Sequence, residues 1–319
     1  MSNEQTLKKQ FECLAIASPS FCKNKLLIDE AQKLAKNLRL NSSGERLAEG
    51  ELIKFILDSG ADALIIGTDP LTETVLRAAP KLKAIGKYGV GLDRVDLNAI
   101  ESRNIFFGYE AGVNKRSVSE LTLGYMLGHQ RNIFKSLSRM QQATWSKHGG
   151  SHLSEKTIGI VGFGHIGSDL AELLQPFRCK LLVHDILDKR DEARRLNATQ
   201  TSYHELLKHS DIISFHVPGT PATKLMFAEA EIRLSKMHAL IINTARSMVV
   251  DFDAIIEAVR SSRLGGFASD VFPNEPLVSR DYKIEDGFYF TPHIGGNAEE
   301  AVLNMGRAAL AKLRYFLNQ

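Results

Sequence analysis

Arg246, Glu275 and His293 each stand just beyond a stretch that reads as a β-strand in the second half of a 319-residue chain. Arg246 follows Leu240-Ile241-Ile242-Asn243-Thr244, Glu275 lies in Pro273-Asn274-Glu275-Pro276 after the strand pattern at 266–270, and His293 lies in Thr291-Pro292-His293-Ile294-Gly295-Gly296. In open α/β sheets ligands collect at the carboxyl ends of the strands. The three types together suit the interconversion of a hydroxyl and a carbonyl. A histidine can deliver or accept a proton near neutrality. A carboxylate beside it stabilises the imidazolium, and an arginine can grip a substrate carboxylate through two parallel hydrogen bonds. Taken singly, each residue also fits an ordinary role: a surface ion pair for Arg246, a solvated loop charge for Glu275, a capped turn residue for His293.

A second group of residues suits a dinucleotide. Ile158-Gly159-Ile160-Val161 leads into Gly162-Phe163-Gly164-His165-Ile166-Gly167, and a helical pattern follows at 168–177. Gly162 permits the tight turn, Gly164 lets a pyrophosphate approach the backbone, and Gly167 lets helix and strand pack closely. The helix N-terminus carries roughly half a positive charge for the phosphates. Asp185, 18 residues beyond Gly167, ends the next strand pattern, where a carboxylate accepts hydrogen bonds from the ribose hydroxyls and repels a 2′-phosphate. The expected cofactor is therefore NAD. Lys189 and Arg190 lie nearby and read as a solvated helix face.

These residues require alternating strands and helices to position them. Strand patterns fall at 14–17, 63–66 and 82–86, with helical patterns at 51–58 and 73–79 punctuated by Gly60 and Pro80. The alternation restarts at 157–161, 180–184, 211–216, 239–243 and 266–270, the pattern of a doubly wound parallel sheet. Between the two runs, one long helix is predicted over 117–142, opened by Ser117 and Glu120 at capping-box spacing. Its apolar residues exceed one face, so it is expected between domains or subunits. A loop is expected at 147–154, with His148 and His152 flanking Gly149 and Gly150 and no metal site.

The length predicts two domains. Forty basic against 37 acidic residues, scattered without a block, give no footprint for nucleic acid. Neither a signal peptide nor an apolar run of about 18 residues is legible, so no membrane span is expected. Cys13, Cys22 and Cys179 lack CxxC spacing and read as reduced thiols of a cytoplasmic protein.

Beyond this, the motifs resemble the D-isomer-specific 2-hydroxyacid dehydrogenase family, and most closely its phosphoglycerate dehydrogenases. The resemblance rests on residues 61–65, 87–96 (KYGVGLDRVD), 117–121 (SVSEL), GFGHIG, 243–246 (NTAR), Asp270-Val271-Phe272 with Glu275-Pro276, and TPHIGG, which span nearly the whole chain. It implies that Arg246 binds the substrate carboxylate and carbonyl, and that Glu275 pairs with the acid/base His293. The backbone N–H groups of Val90 and Gly91 would receive the carboxylate. It adds His165, Ile166, Pro218, Thr244 and Asp270 as cofactor contacts. The implied fold is α/β, with two Rossmann-like doubly wound domains: a substrate domain of 1–108 and 291–319, and an NAD-binding domain of 109–290 inserted into it. A homodimer through 117–142 is also implied, as is hydride transfer between NAD and C2 of a short 2-hydroxy acid in the cytoplasm. The favoured substrate is 3-phosphoglycerate, on the route to serine, with glyoxylate or hydroxypyruvate as the alternative. A non-catalytic, NAD-sensing corepressor-like protein is the rival from another class. Ser247 stands where the family usually has glycine and Arg94 where asparagine is common. Lys87, Arg94 and Arg116 are candidate phosphate partners, with a solvated-surface role as the alternative for each. The sequence ends at Gln319, from which a C-terminal regulatory domain is expected to be absent.

Overall fold

The computed structural model describes residues 9–277 and 282–319. The chain forms two compact units, one of Met1–Asn114 with Asn297–Gln319 and one of Lys115–Gly296.

In the first unit β1 (Phe11–Ile16), β2 (Ala35–Leu40), β3 (Ala63–Ile66), β4 (Ala84–Lys87) and β5 (Phe106–Gly108) form a parallel sheet in the order β2-β1-β3-β4-β5. Ala63-Leu64-Ile65-Ile66 is buried throughout, as expected of a strand covered on both faces. One face packs against Leu52, Ile56 and Val75 of the crossover helices. The other packs against Leu27 and against Met305, Leu310 and Leu313 of the helix Glu299–Leu317. Gly86 permits this close approach, because a Cβ there would stand 3.1 Å from the Ala309 carbonyl oxygen.

The second unit holds β6 (Thr157–Val161), β7 (Lys180–His184), β8 (Ala198–Gln200), β9 (Ile212–Phe215), β10 (Leu240–Asn243), β11 (Gly266–Ser269) and β12 (Phe288–Phe290). All pair in parallel in the order β12-β11-β10-β9-β6-β7-β8. The direction of winding reverses between β6 and β9, the switch point at which such sheets bind nucleotides. Both sheets meet the doubly wound α/β expectation.

The helix expected over 117–142 is instead two helices, Lys115–Gln130 and Ile133–Gln141. Asn132 between them is left-handed at φ 54°, and the Phe134 ring folds back onto Gly128, where a Cβ would meet it at 2.1 Å. The Ser117–Glu120 capping box does not form. The helix starts two residues earlier, at Lys115, and the Ser117 hydroxyl donates instead to the Gly295 carbonyl at 2.6 Å. Leu137 and Met140 of the second helix are exposed at 59% and 53%. The 147–154 loop is tied down at its centre. Gln130, Arg131 and Asn132 bind Ser151 N–H, Gly149 O and His148 O respectively, so it is not a loose connection.

Candidate active site

The fingerprint turn is shaped by glycine at two positions and left open at the third. Gly162 has φ 92°, and a Cβ there would meet His216 O at 2.7 Å. At Gly167 a Cβ would meet Gly162 O at 2.1 Å. At Gly164 it would meet no protein atom within 4 Å. Gly164 is the N-cap of the helix His165–Leu173 and offers no side-chain cap, so the first-turn N–H groups, including those of His165 and Ile166, are presented to a ligand. Asp185 closes the other side. Its carboxylate accepts from the Phe163 N–H at 2.7 Å and the Leu187 N–H at 2.9 Å. Lys189 pairs with Glu192 at 2.8 Å and Arg190 with Asp188 at 3.6 Å. Gly162, Gly164, Gly167 and Asp185 thus converge at the carboxyl ends of β6 and β7, and the open space at Gly164 leaves room for a dinucleotide pyrophosphate.

Arg246, Glu275 and His293 all belong to the second unit, beyond β10, β11 and β12. His293 Nδ1 and Glu275 Oε2 are 2.9 Å apart, with exposures of 52% and 39%. The other Glu275 oxygen accepts from the Phe272 N–H at 3.0 Å, which aims the carboxylate at the imidazole. Arg246 is half-buried and donates to Ala245 O at 2.8 Å. Its turn is held by the fully buried Asn243, which donates to Arg246 O and accepts from the Ala245 N–H. Thr244 is buried with its hydroxyl 3.2 Å from Thr122, and Pro218 lies exposed after β9 with its carbonyl accepting from Thr223.

Asp270 is 2% exposed, and its carboxylate is committed to the histidine loop. Oδ1 accepts from the Thr291 hydroxyl and the Ile294 N–H at 2.8 Å, and Oδ2 from the Gly295 N–H at 2.7 Å. These bonds flank His293, which sits at φ 56°.

In the first unit, Gly89 (φ 95°) turns the chain after β4. Among the described residues no acceptor takes the Val90 or Gly91 N–H. Lys87 is buried at 4% exposure and donates to Gly67 O and Tyr88 O at 2.8 and 3.0 Å, so it is no surface cation. Arg116 is spent on Asp169, with bonds of 2.8 and 3.2 Å. Arg94 is exposed and meets no carboxylate among the described residues.

A family model described as "D-isomer specific 2-hydroxyacid dehydrogenase, NAD binding domain" matches residues 123–295. The chain belongs to this family. It is 39% identical over 244 residues to the D-3-phosphoglycerate dehydrogenase of Haemophilus influenzae, a match covering 74% of this chain and 59% of that protein. It is 33% identical over 265 residues to the glyoxylate reductase of Thermococcus litoralis, covering 80% of each. Among solved structures, the D-lactate dehydrogenase of Aquifex aeolicus, complexed with NAD and lactic acid, superposes with a TM-score of 0.81 at 27% identity, over 96% of this chain and 95% of that one. The chain thus spans about three-fifths of the phosphoglycerate dehydrogenases it matches.

Two features of this family member were not legible from spacing. Asn243 acts on a turn three residues away, and its signal was its place in NTAR. The grip of Asp270 on residues 291–295 depends on β11 and β12 being neighbours, which only the sheet order reveals.

Proposed function

We propose that the protein catalyses reversible hydride transfer between NAD and C2 of a short D-2-hydroxy acid. The observation that carries this reading is the 2.9 Å pairing of His293 Nδ1 with Glu275 at the strand ends that also carry Arg246. Bound NADH supplies the hydride. With Nδ1 turned to Glu275, Nε2 is the nitrogen that protonates the substrate carbonyl oxygen during reduction and removes the hydroxyl proton during oxidation. Glu275 stabilises the imidazolium between those steps. Arg246 binds the substrate carboxylate, and the Val90 and Gly91 N–H groups offer a second set of donors for it. In this reading Lys115–Gly296 binds the cofactor and the first unit carries substrate contacts.

The favoured substrate is 3-phosphoglycerate, supported by the identity to phosphoglycerate dehydrogenases. This would place the enzyme in the cytoplasm, on the route to serine. Of the three cations considered for its phosphate, Lys87 and Arg116 are engaged within the protein, which leaves Arg94. That reduction supports glyoxylate or hydroxypyruvate as the second reading. Exposed Leu137 and Met140 support a homodimer through the 117–142 region.

The test is NADH oxidation with a panel of glyoxylate, hydroxypyruvate, pyruvate and 3-phosphohydroxypyruvate. Turnover is expected with at least one, and His293→Ala should lower kcat by about 10²–10⁴-fold with NADH affinity retained. NADH binding without turnover of any 2-keto acid would favour the non-catalytic, cofactor-sensing alternative.

A further inference from the structure

The helix Lys115–Gln130 carries none of the three side chains of the chemistry proposed above, yet it is tied to the loop that holds His293. Near its start the Ser117 hydroxyl donates to Gly295 O at 2.6 Å, and Val118 and Leu121 pack beside Gly295. About two turns further on, the hydroxyl of the buried Tyr125 lies 2.5 Å from that of Thr291. The two ties bracket His293, one on Thr291 before it and one on Gly295 after it.

The direction of the hydrogen bonds follows from counting protons. A threonine hydroxyl has one proton to give. That of Thr291 goes to the Asp270 carboxylate, which when ionised can only accept. Tyr125 is therefore the donor in its contact with Thr291. Burial pushes the pKa of the phenol up, so it keeps its proton. The donors run one way, from Tyr125 to Thr291 to Asp270. Asp270 is 2% exposed and meets no cation among the described residues, so its charge depends on its hydrogen-bond donors. Such a chain of hydrogen bonds polarises along its length, and Tyr125 is its outer end. The chain reaches the acid/base residue directly, because Thr291 O accepts the His293 N–H at 3.0 Å. His293 itself holds φ 56°, a left-handed conformation that an L-residue keeps only where its surroundings enforce it.

We propose that Tyr125 is a positioning residue for the proton-transfer step. Its hydroxyl fixes Thr291, and through Thr291 it holds the backbone of His293 in the conformation that presents the imidazole to substrate. The proposal rests on the dehydrogenase reading and adds to it a residue that touches neither substrate nor cofactor.

Tyr125→Phe deletes the donor and little else. Single-turnover reduction of a 2-keto acid by enzyme-bound NADH, followed in H₂O and D₂O, reports the chemical step. The rate should fall about 3- to 10-fold, the usual worth of one hydrogen bond, and the solvent isotope effect should grow. The Kd for NADH should stay within about 2-fold of wild type. A merely structural hydroxyl would lower the melting temperature and leave rate and isotope effect unchanged, which would overturn the proposal. A slower rate without a larger isotope effect would place the fault outside proton transfer and overturn it too. The route through Thr291 has its own test. In a Thr291→Val background Tyr125→Phe should cost nothing further, and additive losses would overturn the relay. Should Tyr125→Phe fail to fold, Thr291→Val and Thr291→Ser decide: only valine, which has no oxygen for Tyr125 to reach, should slow the step, and equal rates would overturn the role. Wild type that reduced no 2-keto acid would overturn the dehydrogenase reading itself, a distinct failure.

Discussion

The fingerprint glycines make separable demands, and alanine at each should show them. At Gly167 an added Cβ falls 2.1 Å from the Gly162 carbonyl oxygen and 3.1 Å from Ile160 Cγ2. Relief requires the helix or the turn to move by roughly 1 Å, and both are packed at crystal-like density. Overpacking of this kind costs about 1–3 kcal/mol. It outweighs the gain of about 1 kcal/mol from replacing glycine within a helix. The melting temperature should fall by several degrees, since about 1 kcal/mol moves it by about 2–4 °C in larger domains. Gly164 is different. Its Cβ would meet nothing within 4 Å, and its φ of −87° is open to any residue. Alanine is a poorer N-cap, at a cost of about 1 kcal/mol or less. Gly164→Ala should therefore melt within about 4 °C of wild type yet bind NADH at least about 10-fold more weakly. The assay pairs calorimetry of the ligand-free proteins with NADH fluorescence titration. Gly164→Ala with wild-type NADH affinity would refute the assignment of the pyrophosphate to this space.

Asp185→Ser removes the charge that would repel a 2′-phosphate. It should narrow the preference in kcat/KM for NAD over NADP by about 10-fold or more, and an unchanged ratio would show that discrimination lies elsewhere. If 3-phosphoglycerate is the substrate, Arg94→Gln should raise its KM and spare that of glyoxylate; equal effects on both would assign Arg94 to bulk solvent. His129 offers a pH test. Burial, reinforced by Lys135 and Lys156, pushes its pKa down to about 4 from an ordinary 6.5. The unfolded chain then binds the extra proton, so stability is complete above about pH 6.5 and is lost as pH falls toward about 4. Between pH 7.5 and 5.5 this amounts to about 1.4 kcal/mol. In denaturant titrations His129→Gln should lose that much less over the same interval, and an identical loss would refute the attribution.

The legible parts of the fold were those whose sequence signal is local. β3, β6 and β7 are buried runs, and their expected and observed limits coincide at 63–66, 157–161 and 180–184. β2, which alternates charged and apolar residues at the sheet edge, gave no such run, and β5, β8 and β12 have three residues each. The break at Asn132 was hidden because the surrounding apolar residues read equally well as one helix or two. What separates them is the packing of Phe134 on Gly128, a contact between the helices. The same division runs through the site. Arg246, Glu275 and His293 could be found because each follows a strand. The burial of Lys87 could not, since it depends on a carbonyl 20 residues away at Gly67. Nor could the commitment of Asp270 to a loop that begins 21 residues later.

The helix Glu299–Leu317 completes the core of the first unit, and this bears on the order in which the chain can fold as it leaves the ribosome. After Asn114 emerges, 184 residues must follow before Glu299 does. At about 5–20 residues per second this interval is roughly 10–40 s. Throughout it, the face of the first sheet that Met305, Leu310 and Leu313 will cover lacks that cover. The second unit draws its seven strands and its two cores from one continuous stretch and can close in the meantime. The usual N-terminal-first order of folding is thereby inverted: the unit begun first is finished last, and its nascent sheet is where a chaperone would find apolar surface to bind.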